Sequence, residues 1–467
     1  MIRIILVIVL SVLSMVVNAQ DISGLWKGEA NIGNDKELAF EFEISNNQKG
    51  EYKTNFSIPT LQVKDLVPKH TSYIDLNLVV DGSNLGMMYE GKYDEEKQIF
   101  TGLFKEGVKS IPLVLKKVHT KTKQSKLNRP QEPSGSLPYK QEEVRFKNIK
   151  AGVELAGTIT IPRNTNKFPT VLLISGSGPS DRDQNFANHK TFLVLSDYLT
   201  RNGIAVLRYD DRGTAESSGD FADATTLDFA KDAISAIEYL KSRTDIDENN
   251  IGLIGHSEGG IIAPIVANKM KKDISFIVNL AGTAILGSEL SLIQSKTLRP
   301  FAVPDEKAYE SAIKKAIDIA LKKGKSEKIQ DQLQKHYDKE ILPILIEVTG
   351  SQEHAKQLVS QFVASRTTPW SRYFYKYNPA DEYRKVKSDV LALYGTNDKQ
   401  VLAEINAPAL KQALEKGRNS RYSVKVLDNL NHLFQESKTG NMSEYSEIEQ
   451  TFSPVALKLI VNWIFNR

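Results

Sequence analysis

Gly255-His256-Ser257-Glu258-Gly259-Gly260 constrains this chain more than any other stretch. It stands between an apolar, β-branched run at residues 251–254 and a helical run at residues 261–270. A serine in G-x-S-x-G, at the turn from a strand into a helix, is held on a sharp and strained backbone. Glycines flank it because strand and helix approach too closely there for side chains. The neighbouring chain supplies the sheet such a turn needs. Strand-like stretches at 153–161, 170–174, 204–209 and 251–254 alternate with helical periodicity at 192–201 and 227–243. That alternation predicts a mostly parallel sheet covered on both faces, an α/β fold.

The domain organisation follows from changes in pattern. Residues 1–19 carry Arg3, then an almost wholly apolar run, then Val17-Asn18-Ala19. This is the pattern of a cleaved secretory signal, and its apolar run is shorter than the roughly 20 residues a spanning helix needs. The mature chain is expected to lack a membrane span and to be exported, periplasmic or extracellular. Residues 20–118 alternate polar and apolar in short runs separated by turn clusters, which predicts a small antiparallel β domain, a barrel or sandwich. Trp26 is its expected core plug. Residues 119–140, rich in Lys, Ser, Pro and Gln, read as a solvated linker. The α/β domain occupies 141–467. Within it the strand–helix alternation stops at about 286–369, where helices at 305–323, 328–341 and 352–365 predict a helical cap. Strands at 389–394 and 423–427 and a helix at 454–465 follow.

A serine hydroxyl is a weak nucleophile and needs a base within hydrogen-bond reach. In this architecture the partners follow in the order serine, acid, histidine. His432, in the loop after the strand at 423–427, fits the base. Asp398, in the turn Gly395-Thr396-Asn397-Asp398 behind the strand at 389–394, fits the acid. Asp428 is less suited because it lies so close to His432 in the chain. An oxyanion hole needs two backbone N–H groups. Glu258, next after the serine, supplies one. Ser177, with Gly178 as alternate, supplies the other from the loop Ser175-Gly176-Ser177-Gly178-Pro179. His189, His256, Trp370 and Phe374 are candidates for the pocket wall. His336 and His354 lie in the predicted cap and read as solvated helix positions. Arg182, Asp183, Asp211 and Arg212 read as a structural salt-bridge set.

Taken together, SGSGPSDRD (175–183), YDDRGTAESSGD (209–220), GHSEGG (255–260), TPWSRYFYKYNP (368–379), YGTNDKQV (394–401) and LNHLFQ (430–435) resemble a family of bacterial α/β-hydrolase serine esterases. The resemblance covers roughly residues 140–467. It implies the α/β-hydrolase fold, carboxylesterase activity on short acyl esters, and no metal or organic cofactor. The chain departs from the family in two places. Ser175 stands where the family has His, and Thr214-Ala215-Glu216 replaces a Gly-x-Gly type of run. The small β domain also resembles one that precedes some of these hydrolases.

Composition closes other routes. With no cysteine, a disulfide scaffold, a thiolate metal site and a cysteine nucleophile are excluded. Lys and Arg number 61 against 57 Asp and Glu, a net charge of +4, which leaves no electrostatic footprint for nucleic acid. The expected partner is a small-molecule ester, and oligomeric state is not readable. A peptidase of the same fold, a thioesterase or deacylase, and a non-catalytic binding protein are the alternatives. Against the peptidase, the β domain is too short for the propeller such enzymes carry. Against the binding protein stands the complete serine, acid and histidine set.

Overall fold

The computed structural model describes residues 21–31, 37–46, 51–58, 63–83, 87–106, 109–118, 128–163, 168–299 and 301–467. The export signal expected at 1–19 and the first part of the expected linker, 119–127, lie outside these residues. The chain divides into two compact units, Met1–Thr122 and Lys123–Arg467.

The first unit is one antiparallel sheet. Its strands are β1 (Gly24–Asn31), β2 (Glu37–Asn46), β3 (Tyr52–Ile58), β4 (Val63–Leu66), β5 (His70–Ile74), β6 (Asn77–Gly82), β7 (Met87–Asp94), β8 (Ile99–Glu106) and β9 (Lys109–Lys117). Their order is β4-β3-β2-β1-β9-β8-β7-β6-β5. Thr71 Oγ1 on the end strand β5 donates to Thr54 Oγ1 on β3, the strand next to the opposite end, at 2.9 Å, so the sheet curls until its two sides touch. The period-two pattern explains the interior. On β2, Phe40, Phe42 and Ile44 point inward while Glu41 and Glu43 alternate outward. Trp26 is fully buried, with Phe100 at 4.6 Å and Tyr93 at 5.9 Å, and its Nε1 donates to Ile22 O at 2.8 Å. Each such aromatic contributes about 1.5–3 kcal/mol by burial.

The second unit holds an eight-stranded sheet, ordered β10-β11-β15-β12-β16-β17-β18-β19. Its strands are β10 (Tyr139–Asn148), β11 (Val153–Pro162), β12 (Thr170–Ile174), β15 (Ala205–Tyr209), β16 (Ile251–His256), β17 (Ile274–Leu280), β18 (Asp389–Gly395) and β19 (Tyr422–Leu427). A separate two-stranded ribbon joins β13 (Asn185–Phe186) to β14 (His189–Lys190). From β15 to β19 the sheet is parallel; β10 and β11 are the antiparallel edge. Both faces are covered, so the central strands are apolar throughout. Val171 and Leu173 of β12 pack on one side with helices α1 (Thr191–Arg201) and α13 (Pro454–Asn466). Leu172 and Ile174 pack on the other with α2 (Thr226–Ser242), α3 (Gly259–Lys269) and α11 (Ala403–Lys416). This is the α/β-hydrolase arrangement that the motifs imply.

Strand order places the site. From β12 the chain crosses by α1 to β15 on one side, then returns by α2 to β16 on the other. The order reverses between β12 and β16, and a crevice opens at the carboxyl ends of strands at such a switch. Between β17 and β18 lie α4 (Gly287–Thr297), α5 (Glu306–Ala320), α6 (Ser326–Glu340), α7 (Leu342–Thr349), α8 (Gln352–Thr367), α9 (Pro369–Phe374) and α10 (Pro379–Tyr383). Ile313, Ile317, Ile319 and Ile341 form the inner face of this cap and are buried in the main core. A short α12 (Met442–Tyr445) precedes α13. No helix among the described residues is long and apolar enough to cross a membrane.

Two local expectations are corrected. The described part of the linker does not float in solvent. Arg129 donates to the carbonyls of Asn188 at 2.9 Å, Ile448 at 2.5 Å and Ser446 at 2.9 Å. Gln131 Nε2 donates to Phe452 O at 2.7 Å, and its Oε1 accepts from Thr451 N at 2.7 Å. Polar composition conceals this, because a guanidinium binds main-chain carbonyls as readily as water. His336 is likewise engaged: its Nε2 donates to Ala312 O at 2.8 Å inside the cap.

Candidate active site

Strand β16 ends at His256, and Ser257 takes φ of +54° before α3 begins. A left-handed backbone is uncommon for serine and needs support from its surroundings. The support is visible. Ser257 N donates to Leu280 O at 2.8 Å. A Cβ on Gly255 would lie 2.1 Å from Gly259 O, and one on Gly259 would lie 2.0 Å from Ile174 O. Only glycine fits either position, which is the physical content of the motif.

Strands β18 and β19 are parallel neighbours, so the loops behind them emerge at the same edge of the sheet. Asp398 Oδ2 accepts from His432 Nδ1 at 2.7 Å. Asp398 Oδ1 accepts from Gln400 N at 2.8 Å and Val401 N at 2.9 Å, so the carboxylate cannot rotate away. Both side chains are buried. The His432 loop is built by Asn431, whose Oδ1 accepts from Leu433 N and Gln435 N, both at 3.0 Å. Asn431 was not singled out in the sequence; a loop asparagine is too common to stand out.

His256 sits between the elbow and this loop. Its Nε2 donates to His432 O at 2.8 Å, and its Nδ1 accepts from Gln184 Nε2 at 2.8 Å. The His256 and His432 rings lie 4.9 Å apart. Complete burial, with His432 facing it, depresses the His256 imidazole to about 3. It is therefore a neutral strut between nucleophile strand and histidine loop, with both nitrogens occupied. Gln184 is a partner the sequence did not reveal. It stands at φ of +50° in the loop behind the Gly-rich segment.

The loop after β12 runs beside the nucleophile: a Cβ on Gly176 would lie 3.2 Å from Ser257 Cβ. Ser177 is exposed, and Gly178 takes φ of +97°. Asp211 holds the loop at both ends. Its Oδ1 accepts from Ser175 Oγ at 2.8 Å and its Oδ2 from Ser180 N at 3.0 Å. Burial raises this carboxyl to about 7. Serine at 175 thus has a definite role here as a donor to Asp211.

The Glu258 side chain turns inward. Its Oε1 accepts from Thr226 Oγ1 at 2.6 Å and from Trp370 Nε1 at 2.7 Å. Trp370 stacks on Phe374 with centroids 5.0 Å apart and planes 7° apart; Phe374 is buried. Of the two aromatics, Trp370 is the one the structure ties to the elbow.

His189 is spent on structure. It is fully buried, its Nε2 donates to Tyr445 O at 2.7 Å and its Nδ1 accepts from Thr451 Oγ1 at 2.9 Å. Its candidacy for the pocket wall is corrected on that ground. Arg212 binds Asp232 through Nε at 2.6 Å and Nη2 at 2.7 Å. Arg182 binds Asp210 through Nε at 3.0 Å and Nη2 at 2.7 Å, and Asp183 pairs with Arg208. These pairs stitch the sheet edge to the loops; Asp211, expected in the same salt-bridge set, instead accepts from Ser175 Oγ and Ser180 N.

The family model of X-Pro dipeptidyl-peptidases (S15 family) matches residues 151–425. The esterase EstD of Thermotoga maritima is 30% identical over 288 residues, which cover 60% of this chain and 58% of that protein. An acyl transferase of Shewanella woodyi is 31% identical over 144 residues, 31% of this chain and 44% of that protein. The chain therefore spans less than two thirds of the length of either relative. Among solved structures, the Pyrococcus furiosus esterase Pf2001 matches 73% of this chain and 98% of its own at a TM-score of 0.42 and 16% identity.

Proposed function

The chain belongs to the S15 family of X-Pro dipeptidyl-peptidases, and with that membership as premise we propose that it is a serine hydrolase of carboxylic esters with short acyl groups. The observation that carries the reading is the buried His432–Asp398 pair, oriented by a hydrogen bond of 2.7 Å, at the sheet edge where the strained Ser257 stands.

The geometry supports the following course. Asp398 holds the Nδ1 proton of His432, which leaves Nε2 as the basic nitrogen. Ser257 Oγ attacks the acyl carbon as Nε2 takes its proton. Negative charge gathers on the former carbonyl oxygen, and the amides of Glu258 and Ser177, with Gly178 as alternate to Ser177, hold it. His432 passes its proton to the departing alkoxide, so an alcohol leaves and an acyl-Ser257 ester remains. Water then attacks that ester with His432 again as base, which releases the acid and restores the serine.

Esterase chemistry is favoured because EstD, 30% identical over 288 residues, is named an esterase. The family description supports a second reading, cleavage of an X-Pro amide by the same residues. An acyl-enzyme also serves transfer to other acceptors, as the acyl transferase match allows. Action outside the cytoplasm is part of the proposal and rests on residues 1–19.

Hydrolysis of p-nitrophenyl esters from acetate to dodecanoate, beside an X-Pro p-nitroanilide, tests the reading against a Ser257→Ala control. Ester turnover that falls with chain length and vanishes in the variant is the expected result. Anilide cleavage without ester turnover replaces it with the peptidase. Wild type that resists a fluorophosphonate probe overturns both.

A further inference from the structure

The base of the site is carried by a loop rather than by a strand or helix. His432 lies in residues 428–453, between β19 and α13, where the one helix is the four-residue α12. Backbone groups that no strand or helix satisfies must find partners elsewhere, and those partners set the shape of the loop. Several of them come from residues 128–131, at the far end of the chain. This short strap lies ahead of residues 151–425, the part that the family model matches.

Arg129 grips two segments at once. Its Nε donates to Asn188 O, at the tip of the β13–β14 ribbon, and its Nη1 and Nη2 donate to Ile448 O and Ser446 O in the histidine loop. A rigid fork of donors suits three carbonyls; a single ammonium does not. Gln131 takes the next stretch of the loop. Its Oε1 accepts from Thr451 N at 2.7 Å and Phe452 N at 3.0 Å, and its Nε2 donates to Phe452 O at 2.7 Å. Both gripped segments lead to His432. The Phe452 ring stacks on Phe434 with centroids 5.5 Å apart and planes 6° apart, and Ser453 N donates to Phe434 O at 2.7 Å. Phe434 is fully buried, two residues past His432, at φ of +61°. On the other side, the ribbon follows directly on Gln184, whose amide holds His256, and His256 Nε2 donates to His432 O at 2.8 Å.

We propose that Arg129 and Gln131 are positioning residues, which clamp the loop of His432 and so set the imidazole against Ser257. This rests on the serine-hydrolase reading above. Asp398 fixes the tautomer of His432 and one end of its ring, but the backbone that carries the ring is held by the strap. A catalytic group displaced by about 1 Å loses up to about 10²-fold in rate. Without the strap, Phe452 and Ser453 are free to shift, and Phe434 and His432 shift with them. Proton transfer from Ser257 is impaired, while the pocket that binds the ester is left in place. The loss therefore falls on kcat and spares KM. Attack of Ser257 on a fluorophosphonate needs the same base, so labelling slows with it.

The test uses the full chain and the p-nitrophenyl ester it hydrolyses best, well below the Tm of every variant. Arg129→Ala and Gln131→Ala are each expected to lower kcat about tenfold, with KM changed less than about twofold and Ser257 labelling slowed in proportion. Millimolar guanidinium chloride is expected to restore kcat in Arg129→Ala alone, because it refills the place of the lost fork. Arg243→Ala is the control for plain destabilisation. Its guanidinium binds Glu142 at 2.9 Å and Asp245 at 2.7 Å at the antiparallel edge of the sheet, so Tm should fall and kcat should hold. Should an alanine variant fail to fold, Arg129→Lys and Gln131→Glu replace it. Lysine lacks the fork and glutamate lacks the donor to Phe452 O, so a smaller loss of kcat in the same sense is expected. Two outcomes overturn the proposal: folded strap variants that lose Tm but keep kcat within about twofold, or an Arg243→Ala variant that loses as much kcat as they do. Wild type that labels at Ser257 and turns over, beside strap variants that do so equally well, sinks the strap alone. No label and no turnover in the wild type sinks the hydrolase reading and the strap with it.

Discussion

His432 Nδ1 and Asp398 Oδ2 meet at 2.7 Å although 34 residues separate them in the chain. They meet because β18 and β19 are adjacent and parallel, so both following loops leave the sheet at one edge. Asp398→Asn would preserve the shape but offer an amide where the Nδ1 proton needs an acceptor. Imidazole would then be held in the wrong tautomer. We expect kcat on an activated ester to fall about 10³–10⁴-fold with KM little changed. Steady-state kinetics checks this, and a loss under tenfold would remove Asp398 from the role.

Gly255→Ala should damage folding rather than chemistry alone. The added Cβ would meet Gly259 O at 2.1 Å, a backbone atom that cannot step aside. Relief requires moving β16 away from α3. We expect a cost of roughly 3–5 kcal/mol, within the range of severe core overpacking. Thermal unfolding measures it. The neighbouring Gly178, with nothing within 4 Å of an added Cβ, should cost less and only through its φ of +97°.

His256 makes stability fall in acid. Its folded pKa, about 3, lies below its ordinary value of 6.5. Between these values the unfolded chain binds a proton that the folded chain refuses. Stability is therefore intact above about pH 6.5 and is lost as pH drops toward 3, by an amount on the order of 4 kcal/mol. A His256→Gln variant should lose part of that pH slope. Unfolding free energies at pH 4.5 and 7.5 give the comparison, and equal slopes in the two proteins would refute the assignment.

Asp211 acts in the opposite direction. Its carboxyl is raised to about 7 from 3.8, so between these values the folded state holds a proton that the unfolded state releases. Its contribution falls as pH rises from about 4 to 7, again by about 4 kcal/mol. Asn at this position can still accept from Ser180 N and donate to Ser175 Oγ. Asp211→Asn should therefore raise thermal stability relative to wild type at pH 8 more than at pH 5. A difference that is flat with pH would place the carboxyl in a more open setting than the structure does.

The site was legible in part, for reasons that differ residue by residue. Ser257, Asp398 and His432 were readable because each follows a β-strand in a fixed chain order. The strands in turn announce themselves by apolar runs bounded by turns. The cap helices α5, α6 and α8 were readable from their periodicity. Helix α11 was not, since Pro408 inside it breaks the pattern a helix should show. The short helices α9 and α10 each hold six residues or fewer, too few to display a period. The anchoring of Arg129 and Gln131 escaped notice because their partners are main-chain carbonyls and amides, most of them more than 300 residues away, invisible in composition.

The sequence by itself determined the local events: a strained serine between two obligatory glycines, the alternation that builds a sheet with two covered faces, and the chain order of nucleophile, acid and base. These depend on φ/ψ limits and on side-chain period, which act over a few residues. Only the tertiary structure decided what each polar group would meet. His256 became a neutral strut, His189 a buried tie, and Glu258 a hub for Thr226 and Trp370. A histidine or glutamate carries the same atoms in every environment. Its protonation and its partners are set by burial and by groups brought from distant parts of the chain.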